Sequence, residues 1–270
     1  MKKTILITGG AGFIGLNLVN FLIKKKKYNV YVIDDLKYAS NEIELKKVLS
    51  NKKFFKININ NYIKLDNLIK KIKPNIIFHL AAESHVDRSI DNPKNFIETN
   101  IIGTFNLLRS SYRLYLKFTK KNKKIFKFIH ISTDEVFGEL GKLGKFNELS
   151  NYQPNSPYSA SKASSDLLVR AWFKTYNFPT IICNSSNNYG PYQHPEKLIP
   201  NIIFRYINEL PIEIYGNGKN QRDWIYVEDN VRALYKVMLF GKPFNLYTIG
   251  TGKEESNINI AKKIMKNLKN

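Results

Sequence analysis

A glycine-rich loop joins a short apolar run to an amphipathic segment near the start of the chain. The run Thr4–Thr8 has the length and composition of a buried strand, and it leads into the loop Thr8–Gly15. Without side chains, Gly9, Gly12 and Gly15 let backbone N–H groups approach a pyrophosphate at the first turn of the next helix. The spacing therefore predicts a strand–loop–helix unit that binds a dinucleotide, with a purely structural turn as the alternative.

Short runs rich in Ile, Val and Phe alternate with helical segments along most of the chain. Strands are predicted at Thr4–Thr8, Val30–Ile33, Phe54–Ile57, Ile76–Leu80, Phe128–Ser132 and Thr180–Asn184. Long helices are predicted from Pro93 to about Phe118 and from Tyr158 to about Tyr176. This alternation is typical of α/β proteins and predicts a Rossmann-type doubly wound parallel sheet. We expect the dinucleotide-binding domain over residues 1–180 and a smaller substrate lobe, interleaved with it, over 181–270.

The formal net charge of +21 suggests nucleic acid as a partner. Only 7 of the 43 basic residues are Arg, however, and Arg is the side chain that recognises phosphate and guanine with two parallel hydrogen bonds. Lys is spread through segments rich in Asn and Ile, which favours solvated surfaces over a binding patch. We therefore expect no nucleic-acid partner.

Cysteine use and the N-terminal hydropathy predict where the protein resides. Cys183 is the single cysteine, so no internal disulfide can form, and no Cys/His cluster has the spacing of a metal site. The apolar run after Met1 ends at Gly9, too early for a signal-peptide core or a membrane span. We expect a cytoplasmic protein without a metal ion and without membrane binding.

Two further patterns indicate nicotinamide chemistry. Asp34 ends the second predicted strand, where a carboxylate can accept hydrogen bonds from ribose hydroxyls and repel a 2′-phosphate; this favours NAD over NADP. An acidic turn without a ligand is the alternative. Tyr158 and Lys162 share one helical face, so the ammonium can lower the pKa of the phenol below about 10 and make it a base. Such a pair alone is weak, because any helix can carry it.

Two acids, Asp134 and Glu135, follow the predicted central strand after Ser132 and Thr133. This is the sheet edge at which open α/β proteins bind ligands. Neighbouring carboxyl groups in a partly enclosed site can hold different protonation states, so one can donate a proton while the other removes one. A solvated acidic turn is the alternative.

Together these residues resemble the extended short-chain dehydrogenase/reductase family and, within it, the sugar-nucleotide 4,6-dehydratases. The segments that carry the resemblance are Thr8–Gly15, Leu80–Ile90, Phe96–Asn100, Ile131–Gly138, Ser156–Arg170, Ser186–Tyr192, Pro195–Pro200 and Arg222–Asp229. The glycine loop and the Tyr158–Lys162 pair fit many members, including epimerases and decarboxylases. Thr133–Glu135 together with Ser84–Arg88 is typical of the dehydratases.

The resemblance implies NAD as cofactor and conversion of dTDP-glucose to dTDP-4-keto-6-deoxyglucose and water. Tyr158, assisted by Lys162, would deprotonate the C4 hydroxyl as hydride passes to NAD⁺, and Thr133 would orient the C4 oxygen. Glu135 would then remove the C5 proton, and Asp134 would protonate the departing C6 hydroxyl. The hydride would return to C6.

The resemblance also implies two sets of contact residues. The cofactor set is Gly9, Gly12, Phe13, Ile14, Gly15, Asp34, Leu36, Asn58, Ile59, Leu80, Ala81, Ala82, Thr99, Tyr158, Lys162 and Asn188, with Asn58 standing where the family usually has Asp. The substrate set is Ser84, Thr133, Asn187, Lys197, Leu198, Arg222 and Asn257. Lys197 and Arg222 also suit a diphosphate as cations.

The family pattern continues beyond Asn270, through an Asp-Arg-Pro-Gly-His-Asp stretch that helps close the nucleotide-sugar site. We therefore expect a partial, C-terminally truncated substrate lobe. A non-catalytic NAD-binding remnant, a fragment that needs a partner chain, and another epimerase or dehydratase of this fold remain alternatives. As in the family, we expect a homodimer formed through the two long helices.

Overall fold

The computed structural model describes residues 2–140, 144–214 and 216–269. In these ranges the strands are β1 (Lys3–Thr8), β2 (Tyr28–Asp34), β3 (Phe54–Lys56), β4 (Ile76–His79), β5 (Lys127–Thr133), β6 (Thr180–Ser185), β7 (Asn187–Tyr189), β8 (Gln221–Tyr226), β9 (Leu246–Ile249) and β10 (Glu254–Ser256). The α-helices are α1 (Phe13–Lys24), α2 (Glu42–Val48), α3 (Tyr62–Ile72), α4 (Val86–Asp91), α5 (Pro93–Phe96), α6 (Thr104–Leu116), α7 (Lys120–Ile125), α8 (Pro157–Tyr176), α9 (Leu198–Ile207), α10 (Val227–Phe240) and α11 (Asn257–Leu268).

Seven strands form one parallel sheet in the order β3-β2-β1-β4-β5-β6-β9. The sheet confirms the predicted Rossmann-type fold. Strand order reverses at β1, which lies between β2 and β4, so the loops that follow β1 and β4 diverge and open a crevice at the carboxyl edge. The glycine loop and the loop after β4 border this crevice.

Helices cover both faces of the sheet, which explains why its strands are apolar throughout. One core cluster joins α1, α2 and α10 to one face, and a second joins α3, α6 and α8 to the other. All residues of β4 and β6 are buried, as expected for inner strands of a doubly wound sheet. The two cores hold the carboxyl ends of β1, β4 and β5 at one edge.

The helix predicted from Pro93 to Phe118 is interrupted by a π-helical stretch at Ile97–Gly103, between α5 and α6. Gly103 lies so close to Ile59 that an added Cβ would come within 2.5 Å of its Cδ1 atom. The wider turns bring Thr99 to the crevice, and Asn100 donates hydrogen bonds to Glu83 O (3.0 Å) and Ser161 Oγ (2.8 Å). Such π-helical segments frequently occur at functional sites.

A smaller three-stranded sheet, β10-β8-β7, stands beside the large one. The strands β6 and β9, which follow residue 179, belong to the large sheet, so the two parts of the chain interleave. The division at residue 180 stays a prediction. Within the described ranges, none of the helices combines the length and the apolar character that crossing a membrane requires.

Candidate active site

The glycine loop lies directly against the start of the loop that follows β4. Gly9 has φ +73°, and a Cβ at this position would lie 2.6 Å from the backbone nitrogen of Ala81. At Gly15 a Cβ would lie 2.1 Å from Gly9 O. Gly12 caps α1 without a side-chain hydrogen bond, which leaves N–H groups of the first turn available to a phosphate. These contacts fit a dinucleotide pyrophosphate.

The carboxylate of Asp34 organises the adjoining part of the crevice. It accepts hydrogen bonds from Ala11 N (2.9 Å), Leu36 N (2.8 Å) and Ser40 Oγ (3.0 Å), and it is buried. Since a carboxylate has about four acceptor positions, these three bonds orient Asp34 and still leave one position for a ribose hydroxyl.

Asn58 lies at the same end of the crevice, and its side-chain amide supplies a hydrogen-bond donor that the Asp usual in the family lacks. Its Nδ2 donates to Asp35 Oδ2 at 2.8 Å, while its Oδ1 accepts from Asn60 N at 2.8 Å. The bond therefore links the loop after β2 to the segment after β3, and it keeps Asp35 beside Asp34 at the border of the crevice.

Most of the predicted cofactor residues line this one crevice. They are Gly9, Gly12, Phe13, Ile14, Gly15, Asp34, Asn58, Ile59, Leu80, Ala81, Ala82, Thr99, Tyr158 and Lys162. Leu36 and Asn188 lie outside the lining. Leu36 has φ +58° and packs against the core, whereas Asn188 donates to Ser186 O (2.9 Å) and accepts from Asn230 (2.8 Å). Any cofactor contacts of these two residues remain predictions.

Tyr158 and Lys162 project from the start of α8, whose first turn is fixed by a capping box at Ser156 and by Pro157. Both side chains are buried and line the crevice. Lys162 Nζ donates to Ile131 O at 2.8 Å, and burial lowers its pKa to about 8. The pair is therefore held by helix packing and by one bond to β5.

For the protein chain on its own, the prediction that Lys162 lowers the pKa of Tyr158 below about 10 is wrong. Burial is the largest influence and raises the pKa of Tyr158, and the charge of Glu135 raises it further. The Thr133 hydroxyl opposes this change. The spacing of Tyr158 and Lys162 on one helix predicts that the Lys162 ammonium lies near the phenol. It predicts neither that the phenol is buried nor that carboxylates lie across the sheet edge.

The acid pair begins directly where β5 ends. Asp134–Phe137 form a 3₁₀ turn, in which Thr133 Oγ1 accepts from Glu135 N (3.2 Å) and donates to Asp134 Oδ1 (3.3 Å). Burial, followed by the charge of Glu135, raises the pKa of Asp134 to about 7. Burial also raises the pKa of Glu135, but the cations Arg222 and Lys197 oppose that change. The pair thus suits Asp134 as a proton donor and Glu135 as a base.

The predicted substrate residues come from several segments of the chain, and two of them, Arg222 and Lys197, lie close enough to Glu135 to affect its pKa. Ser84 and Lys197 line the crevice, and Lys197 Nζ donates to Ser84 O at 3.3 Å. Thr133, Asn187, Leu198, Arg222 and Asn257 lie outside that lining. Asn187 Nδ2 and Asn257 Oδ1 are buried without a hydrogen-bond partner. An unsatisfied buried polar atom costs about 1–3 kcal/mol, and any substrate contact of these two residues remains a prediction.

The mouth of the crevice carries a group of residues that sequence reasoning missed. We call Tyr38, Arg88 and Glu196 the rim cluster. Glu196 accepts hydrogen bonds from Tyr38 OH (2.9 Å) and from an Arg88 guanidinium nitrogen (3.1 Å), and the guanidinium carbon lies 3.6 Å from the centre of the Tyr38 ring. Lys37 adds an ion pair with Glu83 at 2.5 Å. The loop after β2, the segment from Glu83 to α4 and the loop before α9 are thereby joined.

Comparison with known proteins agrees with this geometry. The family model described as GDP-mannose 4,6 dehydratase matches residues 6–270. The dTDP-glucose 4,6-dehydratase of Neisseria meningitidis serogroup B is 48% identical over 267 residues, which cover 98% of this chain and 75% of that protein. The chain belongs to the dTDP-glucose 4,6-dehydratase family. This assignment confirms the resemblance inferred from the sequence motifs.

Solved structures place the dehydratase family within a wider group that shares its fold. The crystal structure of dTDP-glucose 4,6-dehydratase from Bacillus anthracis in complex with NAD is 37% identical, with a TM-score of 0.88, and the match covers 99% of this chain and 81% of that one. UDP-glucose 4-epimerase from Thermotoga maritima is 30% identical, with a TM-score of 0.88 and coverage of 97% and 82%. Since the fold serves both reactions, the fold alone does not tell which of them a chain catalyses.

Proposed function

We propose that this chain is an NAD-dependent dTDP-glucose 4,6-dehydratase, a lyase that converts dTDP-glucose to dTDP-4-keto-6-deoxyglucose and water. The observation that carries the proposal is the half-buried pair Asp134–Glu135 at the end of β5, beside the buried Tyr158 and Lys162 of α8. Family membership supports the same activity, as do relatives whose names state it. An epimerase of the same fold eliminates no water and needs no such pair, whereas the choice of dTDP-glucose over another nucleotide sugar rests on the named relatives.

The proposed reaction begins at the sugar C4 hydroxyl. Tyr158 is protonated at neutral pH, as a phenol ordinarily is, and burial raises its pKa further. It therefore first donates a hydrogen bond, and we infer that it becomes a base when positive charge beside it, such as that of Lys162 on the same helical face, offsets the burial. Thr133, next to the phenol, would orient the C4 oxygen. NAD, when bound in the crevice, supplies the acceptor and later the donor of the transferred hydride.

The elimination then uses the two carboxyl groups. The C4 ketone acidifies the C5 proton, and Glu135 removes it, with Arg222 and Lys197 helping Glu135 to be ionised. Asp134, with a pKa of about 7, donates its proton to the C6 hydroxyl, so that the C–O bond breaks and water leaves. When the hydride has returned to C6, Glu135 gives a proton back to C5, which yields the 4-keto-6-deoxy sugar. The two roles follow from the different electrostatic surroundings of adjacent residues.

We also propose a homodimer formed through the two long helical segments. The segments α5–α6 and α8 pack on each other and leave large apolar side chains exposed. These side chains are Ile97, Ile102, Phe105, Leu116 and Leu167. Exposed apolar groups of this size favour a protein interface. Light scattering after chromatography should give twice the chain mass, and Leu167→Glu should give the single-chain mass.

A cytoplasmic location is part of the same proposal. The single cysteine, Cys183, is buried in β6, so the described fold contains no disulfide that would require an oxidising compartment. Fractionation of cells that express the chain should recover it with cytoplasmic markers.

The activity is tested by incubating the purified protein with dTDP-glucose and NAD⁺ and following the alkaline absorbance of the keto sugar. We expect turnover by the unchanged chain and losses of at least about 10²-fold in Glu135→Gln and Asp134→Asn. Glu228→Gln, which changes an exposed carboxylate of α10, serves as the matched control and should retain full activity. A folded protein that binds NAD⁺ but forms no keto sugar contradicts the proposal.

A further inference from the structure

A single buried carboxylate lies behind the candidate active site, and the proposed chemistry does not use it. Asp166 is on α8, one turn after Lys162, and its side chain is fully buried. Its Oδ2 accepts hydrogen bonds from Ser132 Oγ (2.8 Å), Tyr152 OH (3.0 Å) and Asn184 Nδ2 (3.3 Å). These donors come from β5, the loop before α8 and β6. The carboxylate therefore connects four parts of the chain.

The same network extends to the residues of the acid pair. Asn184 Nδ2 also donates to Thr133 O at 2.9 Å, and Ser132 directly precedes Thr133. Lys162 adds its bond to Ile131 O one residue earlier. The last three residues of β5 are thus bonded to α8, directly or through Asn184. Thr133, Asp134 and Glu135 follow from this anchored end.

The nearest histidine does not neutralise Asp166. His130 Nε2 lies 3.1 Å from Asp166 Oδ1, and this contact by itself raises the pKa of His130. Burial and the charge of Lys162 lower the pKa of His130 to about 4, so its ring is neutral at physiological pH. The titratable groups influenced by the charge of Asp166 are Lys162, His130, Tyr152, Tyr158 and Cys183. Lys162 is the group among them that is cationic at neutral pH.

We propose that Asp166 is a positioning residue for the dehydration. It holds α8 and the end of β5 in fixed relation, so that Tyr158 and Lys162 face Thr133, Asp134 and Glu135. It also supports the positive charge of Lys162 from within the core. The proposal rests on the proposed function for its effect on turnover, but its effect on Lys162 can be measured without turnover.

The test replaces Asp166 with Asn, which keeps the size and removes the charge. Since displacement of a catalytic group by about 1 Å can cost about 10²-fold, we expect kcat to fall about 10²-fold while KM changes less than about twofold. The Asp166 charge raises the pKa of Lys162 against its burial. In Asp166→Asn, Lys162 should therefore lose its proton at a lower pH, and the alkaline limb of the kcat profile should shift downward.

Two further variants separate positioning from charge and from general stability. Tyr152→Phe removes one hydrogen bond to Asp166 but keeps the carboxylate. Its kcat should therefore fall less than that of Asp166→Asn, and the alkaline limb of its kcat profile should not shift. Asp66→Asn is the matched control, because Asp66 is also a buried carboxylate that accepts from a serine, Ser110 (3.0 Å), on the opposite side of α6 from the site. It should lower the melting temperature without moving the alkaline limb.

A readout independent of turnover is the pH dependence of NAD⁺ affinity, because Lys162 lines the cofactor crevice. If the unchanged chain shows no turnover, only the proposed function is overturned. The role of Asp166 is then still tested by comparing how NAD⁺ affinity depends on pH in Asp166→Asn and in the unchanged chain. If Asp166→Asn does not fold, Ser132→Ala with Tyr152→Phe must lower kcat. A folded Asp166→Asn variant overturns the proposal if its alkaline limb coincides with that of the unchanged chain and its kcat, where turnover is measurable, is unchanged. An unchanged kcat in the double variant of Ser132 and Tyr152 overturns it as well.

Discussion

Asp134→Asn should remove the proposed proton donor and also make the folded protein more stable at neutral pH. In the folded protein the pKa of Asp134 is raised from 3.8 to about 7, chiefly by burial. A carboxyl group whose folded pKa is raised destabilises the native state as pH increases above the unfolded pKa. The penalty grows up to the folded pKa and is constant beyond it. The unchanged chain therefore carries this penalty in full above pH 7.

The magnitude follows from the width of that pH window. Each pH unit inside it is worth about 1.4 kcal/mol, so between pH 5.5 and pH 7 the penalty grows by at most about 2 kcal/mol. Asparagine has no such titration. The free energy of unfolding of Asp134→Asn, relative to the unchanged chain, should therefore rise by about 2 kcal/mol from pH 5.5 to pH 8.5.

Urea unfolding at both pH values, followed by circular dichroism, measures this difference. Turnover of dTDP-glucose, measured in parallel, should fall by about 10²- to 10⁴-fold because the C6 hydroxyl loses its proton donor. Asp87→Asn, which removes an exposed carboxylate of α4, is the control. A stability difference that is the same at both pH values would refute the burial argument for Asp134.

Two further predictions concern the cofactor crevice. Gly15→Ala places a Cβ 2.1 Å from Gly9 O, so it should displace the glycine loop and abolish NAD⁺ binding, as measured by calorimetry; binding at the original affinity contradicts the close contact. Tyr38→Phe removes one bond to Glu196 from the rim cluster and should speed NAD⁺ dissociation about three- to tenfold in stopped-flow fluorescence. Tyr176→Phe, equally exposed but remote, should leave that rate unchanged.

Features that depend on the spacing of neighbouring residues could be predicted from the sequence. The glycine loop, the alternation of strands and helices and the Tyr158–Lys162 pair each depend on residues that are close together in the chain. The acid pair is adjacent and follows an apolar strand, so its place at the sheet edge could also be predicted. These features were sufficient to predict the fold and the position of the crevice.

The remaining features depend on contacts between distant segments. The rim cluster joins Arg88 to Glu196, 108 positions apart, and no local pattern indicates that contact. The π-helical stretch arises where Gly103 meets Ile59, which helical periodicity does not reveal. Asp166 lies one turn after Lys162, so its direction could have been predicted, but its donors on three other segments could not.

The central claim is that hydride leaves C4 and returns to C6 of the same sugar, with elimination between C5 and C6. The most direct test uses dTDP-glucose with deuterium at C4, converted by the purified chain with NAD⁺ and analysed by nuclear magnetic resonance. The account predicts a 4-keto-6-deoxy product that carries the deuterium in its C6 methyl group. Deuterium retained at C4 in a sugar that keeps its C6 hydroxyl, or no reaction by a folded protein that binds NAD⁺, would contradict it.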